Sequence, residues 1–135
     1  MYPLEFAAVH SYATEQDGIF VPVVLKSGEN RVRLSAGVDT GATFCIFRSE
    51  LAEALGLALS SGNCKRFRTA NSRFEAFGHD VELTVLGVTT YSTVYFFADA
   101  AIDKNVLGRV GLLDRVRLGL VEHASQIYLA RYDHE

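Results

Sequence analysis

Cysteine is scarce in this chain: Cys45 and Cys64 are the only two among 135 residues. Two thiols make neither a disulfide framework nor a cysteine-based metal site. His10, His79, His123 and His134 likewise show no paired metal-ligand spacing, so they read as surface or turn histidines. A thiol nucleophile would need one of them beside it. Cys45 instead lies in the apolar run Phe44-Cys45-Ile46-Phe47 and reads as core packing. An excess of one charge is also lacking: 13 Lys and Arg against 16 Asp and Glu leave a net charge of −3. Nothing in that balance calls for nucleic acid or an anionic membrane as a partner. The local trio Arg66, Arg68 and Arg73 reads as a solvated strand face rather than a phosphate site.

No uninterrupted apolar run approaches the ~20 residues of a membrane span. Met1-Tyr2-Pro3-Leu4-Glu5 lacks the basic start and apolar stretch of a secretory signal, so a cytoplasmic setting is expected. Low-complexity segments, long linkers and repeats are absent too. A hydrophobic content of 49% is too high for a disordered chain. Residues 1–135 have the length of a single domain with a real core.

What is present is mostly β. Ile19 to Leu25 is rich in β-branched residues, with Pro22 marking an edge or a bulge. The turn cluster Lys26 to Asn30 joins it to Arg31-Val32-Arg33-Leu34 as a hairpin. Ser49 to Gly56 is the clearest helix, with Ser49 as N-cap, Leu51 and Leu55 on one face, and Gly56 past the end. Lys65 to Thr69 and Arg73 to Phe77 flank a turn. Val81 to Val85 alternates as a half-buried strand, and Thr89 to Phe97 follows the Gly87 turn. Gly111 to Arg115 predicts a short helix, and Val116 to Val121 with Gln126 to Ala130 a closing hairpin. Such short strands with frequent turns predict an all-β barrel or sandwich.

Two motifs carry the chemistry. The apolar run Leu34 to Val38 ends in Asp39-Thr40-Gly41-Ala42, which delivers a carboxylate into a tight turn at the edge of a core. Alone, that tetrapeptide fits an ordinary turn aspartate capping a backbone amide. Downstream comes Asn105-Val106-Leu107-Gly108-Arg109, followed by Val110 to Arg115. In this order and separation the pair resembles the retropepsin-like, single-domain aspartic proteases. There, a hydrophobic strand enters Asp-Thr-Gly, and a later strand ending in two apolar residues and Gly, often then Arg, runs beside it. The resemblance covers residues 18 to 130 and selects the acid-protease barrel, with one or two short helices, among all-β folds.

The resemblance implies a catalytic Asp39 and a homodimer acting on a polypeptide substrate without metal or organic cofactor. Peptide-bond hydrolysis needs a base for water and an acid for the carbonyl oxygen, which two carboxylates sharing a proton supply. Asp17, Asp80, Asp99, Asp103, Asp114 and Asp133 lack a comparable setting, so the second carboxylate is expected from Asp39 of another copy. Thr40 and Gly41, with Leu107 and Gly108, would support the pair, and Arg109 would be structural. Gly41, Ala42 and Thr43 would line the substrate cleft. A hairpin flap over Lys65 to Gly78, with Thr69, Ala70, Asn71 and Ser72 at its tip, would cover it. The other reading of that segment is a plain surface hairpin.

Several departures from the family pattern matter. Ala42 stands where pepsin relatives usually have Ser; losing a hydroxyl beside the ionised pair predicts activity at milder pH. Thr43 and Phe44 replace acidic residues of many retroviral members. Phe44 would then make an adjacent pocket apolar, and Arg109 would lose an acidic neighbour for which Asp103 or Asp114 could substitute. The flap tip lacks the glycines of retroviral members. The chain ends do not match the retroviral dimer sheet, although Tyr2 to Phe6 could pair with Gln126 to Ala130. The alternative function is a catalytically silent peptide-binding or dimerisation module of the same fold.

Overall fold

The structure is a computed structural model describing residues 1–135. Its strands are β1 (Ala8–Ser11), β2 (Phe20–Ser27), β3 (Asn30–Val38), β4 (Ile46–Phe47), β5 (Asn63–Arg68), β6 (Arg73–Val85), β7 (Val88–Phe97), β8 (Val106–Leu107), β9 (Val116–Val121) and β10 (Gln126–Arg131). One α-helix, α1 (Ser49–Ala54), and three single 3₁₀ turns complete the chain. The all-β expectation therefore holds. No helix is long and apolar enough to cross a membrane.

Seven strands form one curled sheet in the order β2-β3-β8-β4-β7-β6-β5, and β2 also pairs with β6 through Val23 to Lys26. The expected barrel thus takes the form of a curled sheet whose first strand returns to its sixth. The other three strands make a separate antiparallel sheet, β1-β10-β9. Period-2 alternation drives the curl inward: Val21, Val23 and Leu25 of β2 and Val81, Leu83 and Val85 of β6 are buried. They meet Phe47, Phe96, Leu55 and Leu107 in one core. Each such side chain contributes about 1.5–3 kcal/mol by leaving water.

Three local readings are corrected. Arg73 to Phe77 and Val81 to Val85 are one 13-residue strand, β6. Gly78 does not break the strand: it is buried under Tyr95, where an added Cβ would lie 3.0 Å from the ring. Ser49 is the first residue of α1 rather than its cap; Arg48 holds the cap position with no side-chain cap bond. The partner of β10 is Ala8 to Ser11, not Tyr2 to Phe6. Phe6 contributes instead by packing on Tyr128, ring centroids 5.7 Å apart.

Candidate active site

The chain leaves the sheet at Asp39, and backbone hydrogen bonds fix that exit. Gly37 N–H donates to the Asn105 carbonyl (2.9 Å), Val38 N–H to Ile19 (2.8 Å) and Asp39 N–H to Leu107 (2.9 Å). β8 lies parallel to β3, with Val38 opposite Leu107, and antiparallel to β4, with Ile46 opposite Val106. The loop from Asp39 to Cys45 therefore straddles β8. It is fastened there by Arg109 N–H to the Ala42 carbonyl (2.9 Å) and Val110 N–H to the Thr43 carbonyl (2.7 Å). The two sequence motifs are thus bonded to each other along their backbones.

Gly108 makes this closeness possible. A Cβ there would fall 2.3 Å from the Phe44 carbonyl oxygen and 2.8 Å from that of Ala42. Beneath the crossing, Cys45 Sγ accepts the Gly108 N–H (3.4 Å), and the thiol donates to the Val110 carbonyl (3.7 Å). Burial pushes the Cys45 pKa up to about 11. It is a neutral packing group, as its apolar neighbours implied.

The Asp39 carboxylate is exposed, and its Oδ1 accepts the Gly41 N–H at 2.9 Å. Ala42 N–H donates to the Asp39 carbonyl at 3.1 Å, which closes the turn. Thr40 and Gly41 stand exposed beside it. The carboxylate borders a cleft of about 700 Å³ between this loop and the β5–β6 hairpin. The hairpin tip is Thr69 to Ser72, where Ser72 N–H donates to Thr69 Oγ1 (3.1 Å) and the two hydroxyls lie 2.8 Å apart.

Of the residues read from sequence, Asp39, Gly41, Ala42, Thr43, Thr69 and Ser72 line this cleft. Ala70 and Asn71 sit on the tip without lining it, while Leu107 and Gly108 lie buried and Arg109 exposed. Phe44 lines the cleft as expected, but several walls were missed: Ile46, Phe67, Phe74, Phe97, Ile102 and Val106. Phe67 stacks on Phe74 across the hairpin (5.0 Å) and meets Phe44 edge-on (5.9 Å). Lys65 Nζ lies 4.3 Å from the centre of the Phe44 ring. Alternation in Lys65-Arg66-Phe67-Arg68 and Arg73-Phe74-Glu75 was the signal that would have placed both phenylalanines on one face.

Asp39 is the only carboxylate lining this cleft; Arg68 and Lys104 are its cations. A second recess, of about 660 Å³, opens on the other side of Asp39 and includes Asp17 and Asp103. Asp103 is engaged by Arg48 at 3.3 Å. Asp114 accepts the Gly111 N–H (3.0 Å) and lies 3.5 Å from Arg115 Nε. Neither acid pairs with Arg109, whose bonds in the loop are made by its backbone. It donates to Ala42 and accepts the Asp114 N–H at 2.8 Å. No three His, Cys, Asp or Glu side chains gather as a metal site.

A family model described as aspartyl protease matches residues 21–110, from β2 to the end of the second motif. No curated protein matches the chain. Among solved structures the chain is similar to the crystal structure of a retropepsin-like aspartic protease from Rickettsia conorii. The two superpose with a TM-score of 0.70 over 96% of each chain, at 19% identity. At that identity the likeness is one of fold, and the fold is retropepsin-like.

Proposed function

This chain belongs to the aspartyl protease family, and on that premise we propose that it is an endopeptidase acting as a homodimer, with Asp39 of each copy forming the catalytic pair. The observation that carries the reading is the lone carboxylate. One chain brings one Asp39, held by a braced turn, to the edge of a cleft sized for a peptide segment. A two-fold axis through that edge would supply the second carboxylate in an equivalent position.

Two carboxylates side by side share a proton, because both cannot ionise easily at once. The ionised one takes a proton from water, the water oxygen bonds to the peptide carbonyl carbon, and the protonated one donates to the carbonyl oxygen. As the tetrahedral intermediate breaks, the C–N bond cleaves and the leaving amine takes the proton that the first carboxylate had accepted from water. The other carboxylate takes a hydroxyl proton back as the C=O bond re-forms. Thr40 would brace the turn against its counterpart, and Gly41 and Ala42 would offer backbone groups to the extended substrate. The Thr69–Ser72 hairpin would cover it and exclude water.

A second reading, a peptide-binding or dimerisation module that does not cleave, draws on the hairpin's aromatic seat. Phe67 packed on Phe44 holds the hairpin down over the cleft. Peptide-library cleavage by wild type and Asp39→Asn, from about pH 4 to 7 where a shared-proton pair gives a bell-shaped profile, decides between them. Cleavage that disappears in Asp39→Asn supports the protease. A dimeric wild-type protein that cuts no peptide at any pH leaves the binding module.

A further inference from the structure

The cleft beside Asp39 has two characters. Its walls are apolar, built from Phe44, Ile46, Phe97, Ile102 and Val106. Its charged residues besides Asp39 are both cations, Arg68 on β5 and Lys104 in the segment before β8. Neither belongs to an ion pair: the four in this chain join Arg48 to Glu50 and Asp103, Arg115 to Asp114, and Arg131 to Asp133. Lys104 also borders the recess on the other side of Asp39, so it stands where the two cavities meet.

The flap adds a second, independent sign. Arg68 lies directly opposite Arg73 in the β5–β6 ladder, and both are exposed. Like charges in register weaken a hairpin, and neither arginine makes an ion pair, although Glu75 and Asp99 line a recess with them. Glu75, the hairpin's own acid, faces Arg66 and accepts the Cys64 thiol at 3.0 Å. The hairpin that would fold over a substrate therefore carries two arginines that no ion pair of the chain engages.

We infer that this site selects polypeptide segments in which an apolar or aromatic side chain is accompanied, within a few residues, by Asp or Glu. The inference rests on the reading of the cleft as a protease site. The apolar side chain enters the Phe44–Phe97 walls and leaves water there. The acidic one meets Arg68 or Lys104, where carboxylate–guanidinium or carboxylate–ammonium pairing gains strength as the hairpin excludes solvent. A basic side chain in the same place meets two like charges and no acid other than Asp39. Two-fold symmetry repeats the arrangement, so acidic residues are favoured on either side of the apolar centre.

The test is binding by Asp39→Asn, which keeps the cleft and removes turnover, at concentrations where the protein is dimeric. Three fluorescein-labelled peptides share a Phe-Leu centre and differ only in flanking Glu, Gln or Lys; anisotropy reports each Kd. The Glu peptide is expected to bind about three- to tenfold tighter than the Gln peptide, with the Lys peptide weakest. Adding Lys104→Glu and Arg68→Glu should reverse the order, and about 0.5 M salt should flatten it. Equal affinities, no binding at all, or an order untouched by the two reversals would overturn the inference. Failure here is separable from failure of the protease reading. Wild-type cleavage without charge preference overturns the selectivity alone. Charge-selective binding without wild-type cleavage overturns the protease reading alone.

Discussion

A methyl group at position 108 would lie 2.3 Å from the Phe44 carbonyl oxygen, so the loop carrying Asp39 would have to lift off β8. Gly108→Ala is therefore expected to lose at least about 1–3 kcal/mol in urea unfolding and to lose cleavage more completely than stability. Arg109 acts through its backbone, so Arg109→Ala should leave stability within about 0.5 kcal/mol of wild type. A large loss there would mean that the side chain has a partner outside the isolated chain. The two thiols give a separate check. Cys64 is exposed and Cys45 buried, so a thiol reagent at pH 8 should titrate one group in the native protein and the second only in denaturant. The Glu75 carboxylate raises the Cys64 pKa, so Glu75→Gln should speed alkylation of Cys64 at that pH. Cys45 works in the opposite experiment. Its pKa is raised from 9.0 to about 11, so the unfolded chain releases a proton that the folded chain keeps. That contribution is full below pH 9 and is lost as pH rises toward 11, and Cys45→Ala should flatten the slope. The Asp39 turn was legible from its motif, and Gly108 because the crossing leaves no room there for a side chain. The missing acid of Arg109 was not, because Asp103 and Asp114 are claimed by Arg48 and by the Gly111 amide, choices that only the folded backbone makes.

Among the elements, β6 shows most clearly how one strand serves two purposes. Its inner part, Val81 to Val85, is paired with β7, and most of it also with β2; Arg73 to Glu75 pairs only with β5. Hydrogen exchange should accordingly be slowest at 81–85 and fastest at 69–75, with the hairpin opening as a local unit. Phe67 ties that unit down through Phe74 and Phe44. Phe67→Ala is expected to cost about 0.5–1.5 kcal/mol in aromatic pairing beyond lost burial. It should also raise exchange from residue 63 to 75 without changing 81–85. Protection lost evenly along β6 would show instead that the hairpin is no separate unit. The turn at Thr69–Ser72 could be read from its residues, since Thr and Ser bond their own backbone there. The continuity of β6 could not, because Gly78-His79-Asp80 has the composition of a turn, and only the neighbouring strand, through Tyr95 and Thr93, explains the glycine. Pro22 was legible as an edge feature: β2 pairs with β6 from Val23 onward, so at Pro22 its only partner is β3.

For the whole molecule, the decisive quantity is how activity scales when two kinds of chain are mixed. If each site needs two Asp39 carboxylates, wild type equilibrated with Asp39→Asn should retain activity as the square of the wild-type fraction. An equimolar mixture would then keep about a quarter of the activity. A linear dependence would place the second carboxylate in the same chain, with Asp17 of the neighbouring recess the first to substitute. The overall architecture was legible as strands and turns, and the pair of motifs selected its topology. The apolar cleft walls were not, because Phe67, Phe97 and Ile102 converge from three separated segments. The same wide separation governs when the site comes into being. β8 is two residues long and made well after β3 and β4, yet it is inserted between them, and its Leu107 carbonyl holds the Asp39 amide. A chain still emerging from the ribosome has its aspartate but nothing to aim it, since contacts so distant in sequence form late. On the proposed reading, a nascent copy has no aimed carboxylate until β8 has been made and has docked, and no second carboxylate until it meets another finished copy.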